Sequence, residues 1–373
     1  MRKKKRILIL SEGFGAGHTQ AAYALSDSLR LLAPHIQSRV LELGTFLHPT
    51  LAPLVIGAYR RTVTTQPKLY GLVYRSQDRK TLNRLTRLAL HRICYAQTAA
   101  IVRQLKPDAI VCTHPFPSAV ISRLKRFGLE VPLYTVITDY DAHGTWVSSE
   151  VNTYLVSTPG VKHKLESLGI PPEAVQVTGI PVHPNFWQPH NRDELRARFG
   201  LRQLPTVLVM GGGWGLLKDR NFLHHLLRWR EQIQLVLCLG SNHSSLRELA
   251  EDPRFRHPNI RLLGFTKEVS QWMDVSDLLI TKPGGMTCTE ALAKGIPMLF
   301  HKPIPGQEER NLQYFTQMGF GEAIRSAETV DLWFRQLIDH YPEMEQARSS
   351  RSAAGGAAYS PSLCSQAIME MVP

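Results

Sequence analysis

The sequence predicts two doubly wound α/β domains, and three observations point there. Short β-rich runs alternate with helical patterns along the chain, which calls for parallel sheets joined by crossover helices. The runs fall into two series on either side of a proline-interrupted stretch. At 373 residues the chain is long for one core and natural for two.

The first series comprises residues 6–10, 38–43 (RVLELG), 108–113 (DAIVCT), 132–138 (PLYTVIT), 153–157 (TYLVS) and 175–178. A helix from about His18 to Leu32 follows the first strand, with Ala21, Ala22, Leu25, Leu29 and Leu32 on one face. The second series is 206–210 (TVLVM), 234–239 (QLVLCL), 260–263, 277–281 (DLLIT) and 298–300. Between them, Pro181, Pro184 and Pro189 interrupt periodicity. The expected organisation is therefore an N-terminal domain 1–185, a linker 186–202 and a C-terminal domain 203–348. A loose tail 349–373 is expected to follow, because "SSRSAAGGAAYSPS" at 349–362 is small and polar. Ligands of such domains bind at the carboxyl ends of the strands, here between the two domains.

Composition narrows the function. Hydrophobic residues make up 43% and charged residues 20%, as in ordinary globular proteins. The five cysteines form no CxxC pair and no metal-ligand spacing, so they are expected to be reduced, buried thiols of a cytosolic protein. The basic Met1–Arg6 stretch leads into only four apolar residues, too few for a signal peptide, and no run approaches 18 apolar residues. Charge is uneven: residues 1–126 hold 21 Lys and Arg against 5 Asp and Glu, and residues 127–373 hold 23 against 26. A basic N-terminal third suits an anionic partner. The segment 51–92 interleaves Leu, Val, Tyr and Ile with basic residues that include Arg79, Arg84 and Arg87, a pattern suited to an anionic membrane surface. The competing reading is a core-facing helix with a solvated basic back. No nucleic-acid-binding module is recognisable, so no nucleic-acid partner is expected.

"SEGFGAGHTQAA" at 11–22 has Gly13, Gly15 and Gly17 followed by His18. It matches neither the dinucleotide fingerprint nor the P-loop. The glycines still permit a sharp turn and close approach to the backbone. His18 at a helix N-terminus would stay neutral beside the positive dipole end and could act as a base, or it could simply cap a turn.

"TKPGGMTCTEALAKGIP" at 281–297 places a glycine turn between a strand and a helix expected to start near Thr287. Thr287 and Glu290 read as a capping box, with Gly295 and Pro297 ending the helix. The same geometry welcomes an anion, and Glu290 could accept hydrogen bonds from a ribose diol. Asp139-x-Asp141 in "VITDYDAHGTW" invites a metal reading. Its place at the end of an N-terminal strand favours instead a role for Asp139 in orienting His18 or an acceptor hydroxyl. His114 and His143 also follow strands and are weaker candidates, and His183 is expected to be a linker residue.

These segments, with "VTGIPVHPNF" (177–186), "VLVMGGGWG" (207–215) and "NIRLLGFTKEVSQWMDVSDLLITKPGGMTCTEALAKGIPMLFHKPIPGQEERNLQYF" in the C-terminal half, resemble family 28 glycosyltransferases. The closer similarity is to monogalactosyldiacylglycerol synthase and the processive diacylglycerol glucosyltransferases, from residue 7 to about 340. The resemblance implies a GT-B fold of two Rossmann-like domains facing a cleft, a UDP-sugar donor on the C-terminal domain, and a lipid acceptor brought to the N-terminal one. It implies His18 as general base, Glu290 on the ribose, and Gly284, Gly285, Met286 and Thr287 around the diphosphate. Phe265 would read the uracil edge through its backbone, Gln307 and Glu308 would bind sugar hydroxyls, and Gly212, Gly213 and Gly215 would close on the phosphates. Gly15 and Gly17 would face the acceptor.

The expected protein is thus an inverting hexosyltransferase using UDP-glucose or UDP-galactose and diacylglycerol. It would need no metal or cofactor and would sit peripherally at the cytoplasmic membrane face. Transfer to a polyprenyl-linked carrier, or UDP-sugar sensing without turnover, are the alternatives.

Overall fold

A computed structural model describes residues 4–66, 84–213, 215, 219–343 and 360–372. The chain divides into two compact units. One comprises Met1–Pro184, Ile304–Asn311 and Ser360–Pro373, the other Asn185–Pro303 and Leu312–Tyr359.

The first unit holds six parallel strands: β1 (Lys5–Ser11), β2 (Ile36–Glu42), β3 (Ala109–Cys112), β4 (Leu133–Val136), β5 (Thr153–Val156) and β6 (Val175–Val177). Their order is β2-β1-β3-β4-β5-β6, with Ile9 level with Val40 on one side and Val111 on the other. Alternation along β1 serves two layers. Ile7 and Ile9 pack with Ala22, Leu25 and Leu29 of the helix Ala16–Leu32, and Leu8 and Leu10 pack with Ile121 and Leu124 of the helix Pro115–Arg126.

The expected loose tail is corrected over 360–372. Residues Leu363–Met371 form a helix whose Cys364 and Ile368, with Val372 beyond it, are buried in the Ile7/Ile9 layer. Spacing by four puts these apolar side chains on one face, a signal hidden behind the small polar residues before it. The Tyr134 hydroxyl donates to the Met371 carbonyl at 2.6 Å and Lys5 Nζ to the Val372 carbonyl at 2.9 Å, fixing the end.

The second unit holds β7 (Thr206–Met210), β8 (Gln234–Cys238), β9 (Ile260–Leu263), β10 (Leu278–Thr281), β11 (Met298–Phe300) and β12 (Gly321–Ala323). They are parallel in the order β12-β11-β10-β7-β8-β9. Val207, Val209, Leu235, Leu237, Leu278 and Ile280 form one core with Leu223, Leu226, Phe334 and Leu337. Strand β12 was not expected, because Gly-Glu-Ala carries no β-forming side chain. Glycine suits it, since a Cβ on Gly321 would meet the Met298 carbonyl oxygen at 2.4 Å.

The expected linker 186–202 is part of this unit. It contains the helix Arg192–Arg198. His190 Nδ1 and Lys294 Nζ both reach Asp274 Oδ2, at 2.6 and 2.8 Å, and Arg192 pairs with Asp277 at 2.5 Å. Buried Arg196 donates to the Leu204 carbonyl at 2.9 Å. His190 and Arg192, which look like linker surface in the sequence, are thus anchored on buried carboxylates, and Arg196 on backbone carbonyls. The expected C-terminal domain also gives up residues 304–311 to the first unit.

Candidate active site

In the first unit the strand order reverses at β1 and β3, the switch point where ligands of doubly wound sheets bind. The loop after β1 leads to His18, that after β3 to Thr113 and His114, and that after β4 to Thr138 and Asp139. The helix starts at Ala16 with Gly15 as N-cap, so Gly17 and His18 lie within its first turn. His18 Nδ1 is 2.6 Å from Thr138 Oγ1, and Thr113 Oγ1 donates to the His18 carbonyl at 2.9 Å. The His114 ring stands edge-on to His18 at 4.7 Å, and Trp146 lies 6.0 Å away. Phe14 stacks on the other side of His114.

Burial, reinforced by the neighbouring His143, lowers the His18 pKa to about 4, leaving an uncharged imidazole at neutral pH. His114 is driven well below its ordinary value by burial and by the other two imidazoles. Its Nδ1 accepts the Phe116 N–H at 3.1 Å, capping the helix Pro115–Arg126. His183, expected in a linker, instead stands 3.2 Å from Asp27.

Of the two roles expected for Asp139, orienting His18 is taken by another residue. The Asp139 carboxyl accepts from Asn311 Nδ2 at 3.4 Å and from Gln307; the His18 partner is Thr138, one residue earlier. Adjacent residues leaving a strand face opposite sides, and the sequence motif does not say which side meets the imidazole. Asp139 is only 4% exposed, and burial raises its pKa to about 7, with Glu308 and Asp141 adding repulsion. Asp141 faces Arg310 at 4.0 Å, so the two carboxylates of the D-x-D find different partners. Among the described residues no cluster of three His, Cys, Asp or Glu is arranged to hold a metal ion.

Gln307 and Glu308, expected beside a donor sugar, belong to the first unit. Glu308 accepts the Ile304 N–H at 2.7 Å and Glu309 the Gly306 N–H at 2.9 Å, so both cap their own loop. Glu12 escaped sequence reasoning. It is buried, accepts N–H bonds from Gly44 (2.5 Å) and Gly13 (3.3 Å), and so ties the glycine loop to the helix Leu43–Leu47.

In the second unit the switch point lies at β7 and β10, and each strand runs into a glycine loop. Gly212 (φ +70°) and Gly215 (φ +59°) adopt left-handed backbone. A Cβ on Gly215 would meet the Leu239 carbonyl oxygen at 1.8 Å, so glycine is required there. Ser241 donates through N–H and Oγ to the Gly213 carbonyl, at 3.2 and 3.0 Å, holding this loop from the end of β8. After β10 the helix Gly285–Ala293 begins with Gly284 as N-cap and no side-chain cap. The capping-box reading of Thr287 and Glu290 is thereby corrected, because the glycines let the helix start two residues sooner. Its first-turn amides at Gly285, Met286 and Thr287 point toward an anion position. Half-buried Glu290 has its pKa raised to about 8 by desolvation alone, and its carboxyl has no hydrogen-bond partner among the described residues. Phe265, after β9, is 65% exposed. Cys112, Cys238, Cys288 and Cys364 are buried and form no disulfide with one another.

Known proteins resemble this chain in sequence and fold. The family model for monogalactosyldiacylglycerol synthase matches residues 18–182, and that for the glycosyltransferase family 28 C-terminal domain matches residues 206–361. A processive diacylglycerol beta-glucosyltransferase of Bacillus pumilus is 31% identical over 354 residues, covering 94% of this chain and 91% of that protein. The enzyme of that name from Staphylococcus aureus is 32% identical over 92% of this chain and 89% of its own length. The chain belongs to this diacylglycerol glycosyltransferase family. Its fold is GT-B, similar to Acinetobacter baumannii MurG (TM-score 0.61, 15% identity, 99% of each chain). Anabaena HepE, solved in complex with UDP, is similar too (TM-score 0.59, 15% identity, 98% of each chain). As a member of the diacylglycerol glycosyltransferase family, the protein is a hexosyltransferase.

Proposed function

We propose that the protein transfers glucose from UDP-glucose to the free hydroxyl of diacylglycerol, with inversion at the anomeric carbon, at the cytoplasmic face of a membrane. The carrying observation is His18, an uncharged imidazole held by Thr138 at the switch point of the first sheet. His18 Nε2 takes the hydroxyl proton as the oxygen attacks the anomeric carbon, and the bond from that carbon to the UDP β-phosphate oxygen breaks. The growing charge on UDP falls to the Gly285–Thr287 amides and the helix dipole, with the Gly212–Gly215 loop beside β7 closing on the phosphates. Glu290 takes the ribose diol and the Phe265 backbone the uracil edge. The choice of glucose rests on the relatives' name, and a UDP-sugar donor accords with Anabaena HepE crystallised with UDP-glucose.

The membrane side of the reading rests on the helix Leu51–Thr65. It exposes Leu51, Leu54 and Val55, with Phe46 exposed just before it, within the basic third of the sequence. No described helix is long and apolar enough to cross a membrane. Arg79 lies outside the described residues. Arg84 and Arg87 lie on the helix Arg84–Leu105, whose side chains are described only from residue 95.

The test is to incubate the purified protein with diacylglycerol vesicles and each UDP-hexose, with mass and anomeric analysis of the lipid. A β-glucosyldiacylglycerol made from UDP-glucose is expected. An α-linked product would overturn inversion, transfer from UDP-galactose alone would overturn the donor, and no transfer would overturn the acceptor.

A further inference from the structure

The base proposed above needs an imidazole with one particular nitrogen free, and neither the sequence motif nor the family relationship says what enforces that. Among the described residues His18 has one ring hydrogen bond, between Nδ1 and Thr138 Oγ1 at 2.6 Å. Thr138 is 3% exposed, so bulk water does not compete for its hydroxyl. The carboxylate that follows it in sequence is engaged by Asn311 and Gln307. His114 and Trp146 meet His18 through ring faces and edges, and His143 acts on it through charge.

We propose that Thr138 is the positioning residue of this active site: its Oγ1 accepts the Nδ1 proton of His18 and so leaves the Nε2 lone pair to take the acceptor hydroxyl's proton. Which nitrogen of a histidine carries the proton is set by the hydrogen bond the other makes. The commoner orienting group is a carboxylate, which also stabilises the imidazolium. A hydroxyl orients the ring without adding charge, so the ring stays neutral until a substrate proton arrives. The inference rests on His18 being the base.

The experiment reads the tautomer directly. Two-bond ¹H–¹⁵N spectra of the full-length protein at pH 7 should show His18 protonated at Nδ1. In Thr138→Val the proton should shift toward Nε2, and kcat should fall about tenfold or more, a part of what the whole base contributes. UDP affinity should change by less than about twofold, since no UDP contact is assigned to Thr138. Thr138→Ser, which keeps the hydroxyl, should restore both tautomer and kcat. A wild-type His18 protonated at Nε2 would overturn the proposal even if the valine variant did not fold. So would a valine variant with the wild-type tautomer and rate. If His18→Ala itself kept full activity, the base assignment would fall and Thr138 with it. An inactive His18→Ala beside a fully active Thr138→Val would sink the Thr138 role alone.

Discussion

Both units build a six-stranded parallel sheet, with different strand orders, and they load its carboxyl edge with opposite materials. The first collects side chains that exchange protons: His18, His114 and His143, with Asp139 buried close by in sequence and fold. The second collects glycine backbone, at Gly212, Gly213 and Gly215 after β7 and Gly284–Gly285 after β10, and a carboxyl, Glu290, that has no partner among the described residues. Burial keeps the imidazoles of His18 and His114 neutral, and for His18 this suits proton transfer. Bare amides and a helix N-terminus in the second suit a diphosphate that must come within hydrogen-bond reach. A sheet fixes where loops emerge, and the loops decide the chemistry.

The largest effect should come from the first unit. His18→Ala should lower turnover by roughly 10²-fold or more while leaving UDP affinity unchanged, measured by steady-state kinetics beside calorimetric titration. Because the His18 pKa is lowered to about 4, the neutral, active form prevails at every higher pH. The acid limb of kcat should therefore lie below about pH 5. A limb between pH 6 and 7 would mean an ordinary, solvated histidine. Equal loss of UDP binding in the variant would erase the division of labour between the units.

Next comes the apolar surface of the first unit. Leu51, Leu54 and Val55 are exposed on one helix, and each side chain of this kind contributes about 1.5–3 kcal/mol when moved from water into an apolar medium. Replacing all three with aspartate should weaken binding to diacylglycerol vesicles tenfold or more in sedimentation assays and leave the melting temperature near wild type. Turnover of a short-chain soluble acceptor should be spared. Unchanged vesicle binding would assign this face no membrane role.

How much of the contrast could be read in advance differs between the units. Most strands were legible because buried parallel strands are continuous apolar runs, β2 and β6 despite their polar and exposed positions, and β12 was not because three small or polar residues carry no such signal. The glycine loops were legible because glycine has few other reasons to cluster after a strand. The partners of His18 were not. Thr138 and Asp139 are neighbours in the same motif, and only the path of the chain decides that the hydroxyl meets the imidazole while the carboxyl meets Asn311. The allocation of Gln307, Glu308 and the C-terminal helix to the first unit was hidden for the same reason, since long-range return of the chain leaves no local periodicity.

The second unit offers a smaller, directional test at Glu290. Desolvation raises its pKa to about 8, so it is largely protonated at neutral pH in the free protein. A ribose diol donates hydrogen bonds and favours the ionised carboxylate, so UDP binding should release a proton and tighten as pH rises toward 8. Titration calorimetry in buffers of different ionisation enthalpy measures both. Glu290→Gln should weaken UDP binding by up to about tenfold, the scale of one hydrogen bond to a charged group, and abolish the proton release. Affinity independent of pH in the wild type would remove Glu290 from the ribose.

The smallest expected effect separates structure from catalysis at Asp139. Its pKa is about 7 in the folded protein against 3.8 ordinarily, chiefly from burial. A raised carboxyl pKa means that the folded state holds the proton more tightly than the unfolded chain. Stability is then fully present below about pH 4, is lost as pH climbs from 4 to 7, and changes no further above that. The loss is at most about 4 kcal/mol, from roughly three pKa units at 1.36 kcal/mol each. Asparagine imitates the protonated acid and still offers Asn311 an acceptor oxygen. Asp139→Asn should therefore melt within a degree or two of wild type at about pH 4, rise above it as pH climbs, and stand several degrees above it at pH 8. A difference that widens toward acid pH would mean an ionised, paired aspartate instead. Turnover decides the rest: with Asp139 serving to hold the 304–311 segment, kcat at pH 6 should stay within about twofold of wild type. A tenfold fall at that pH, with the melting behaviour as predicted, would place the carboxyl among the groups that touch substrate and make the first unit's proton chemistry a two-residue affair.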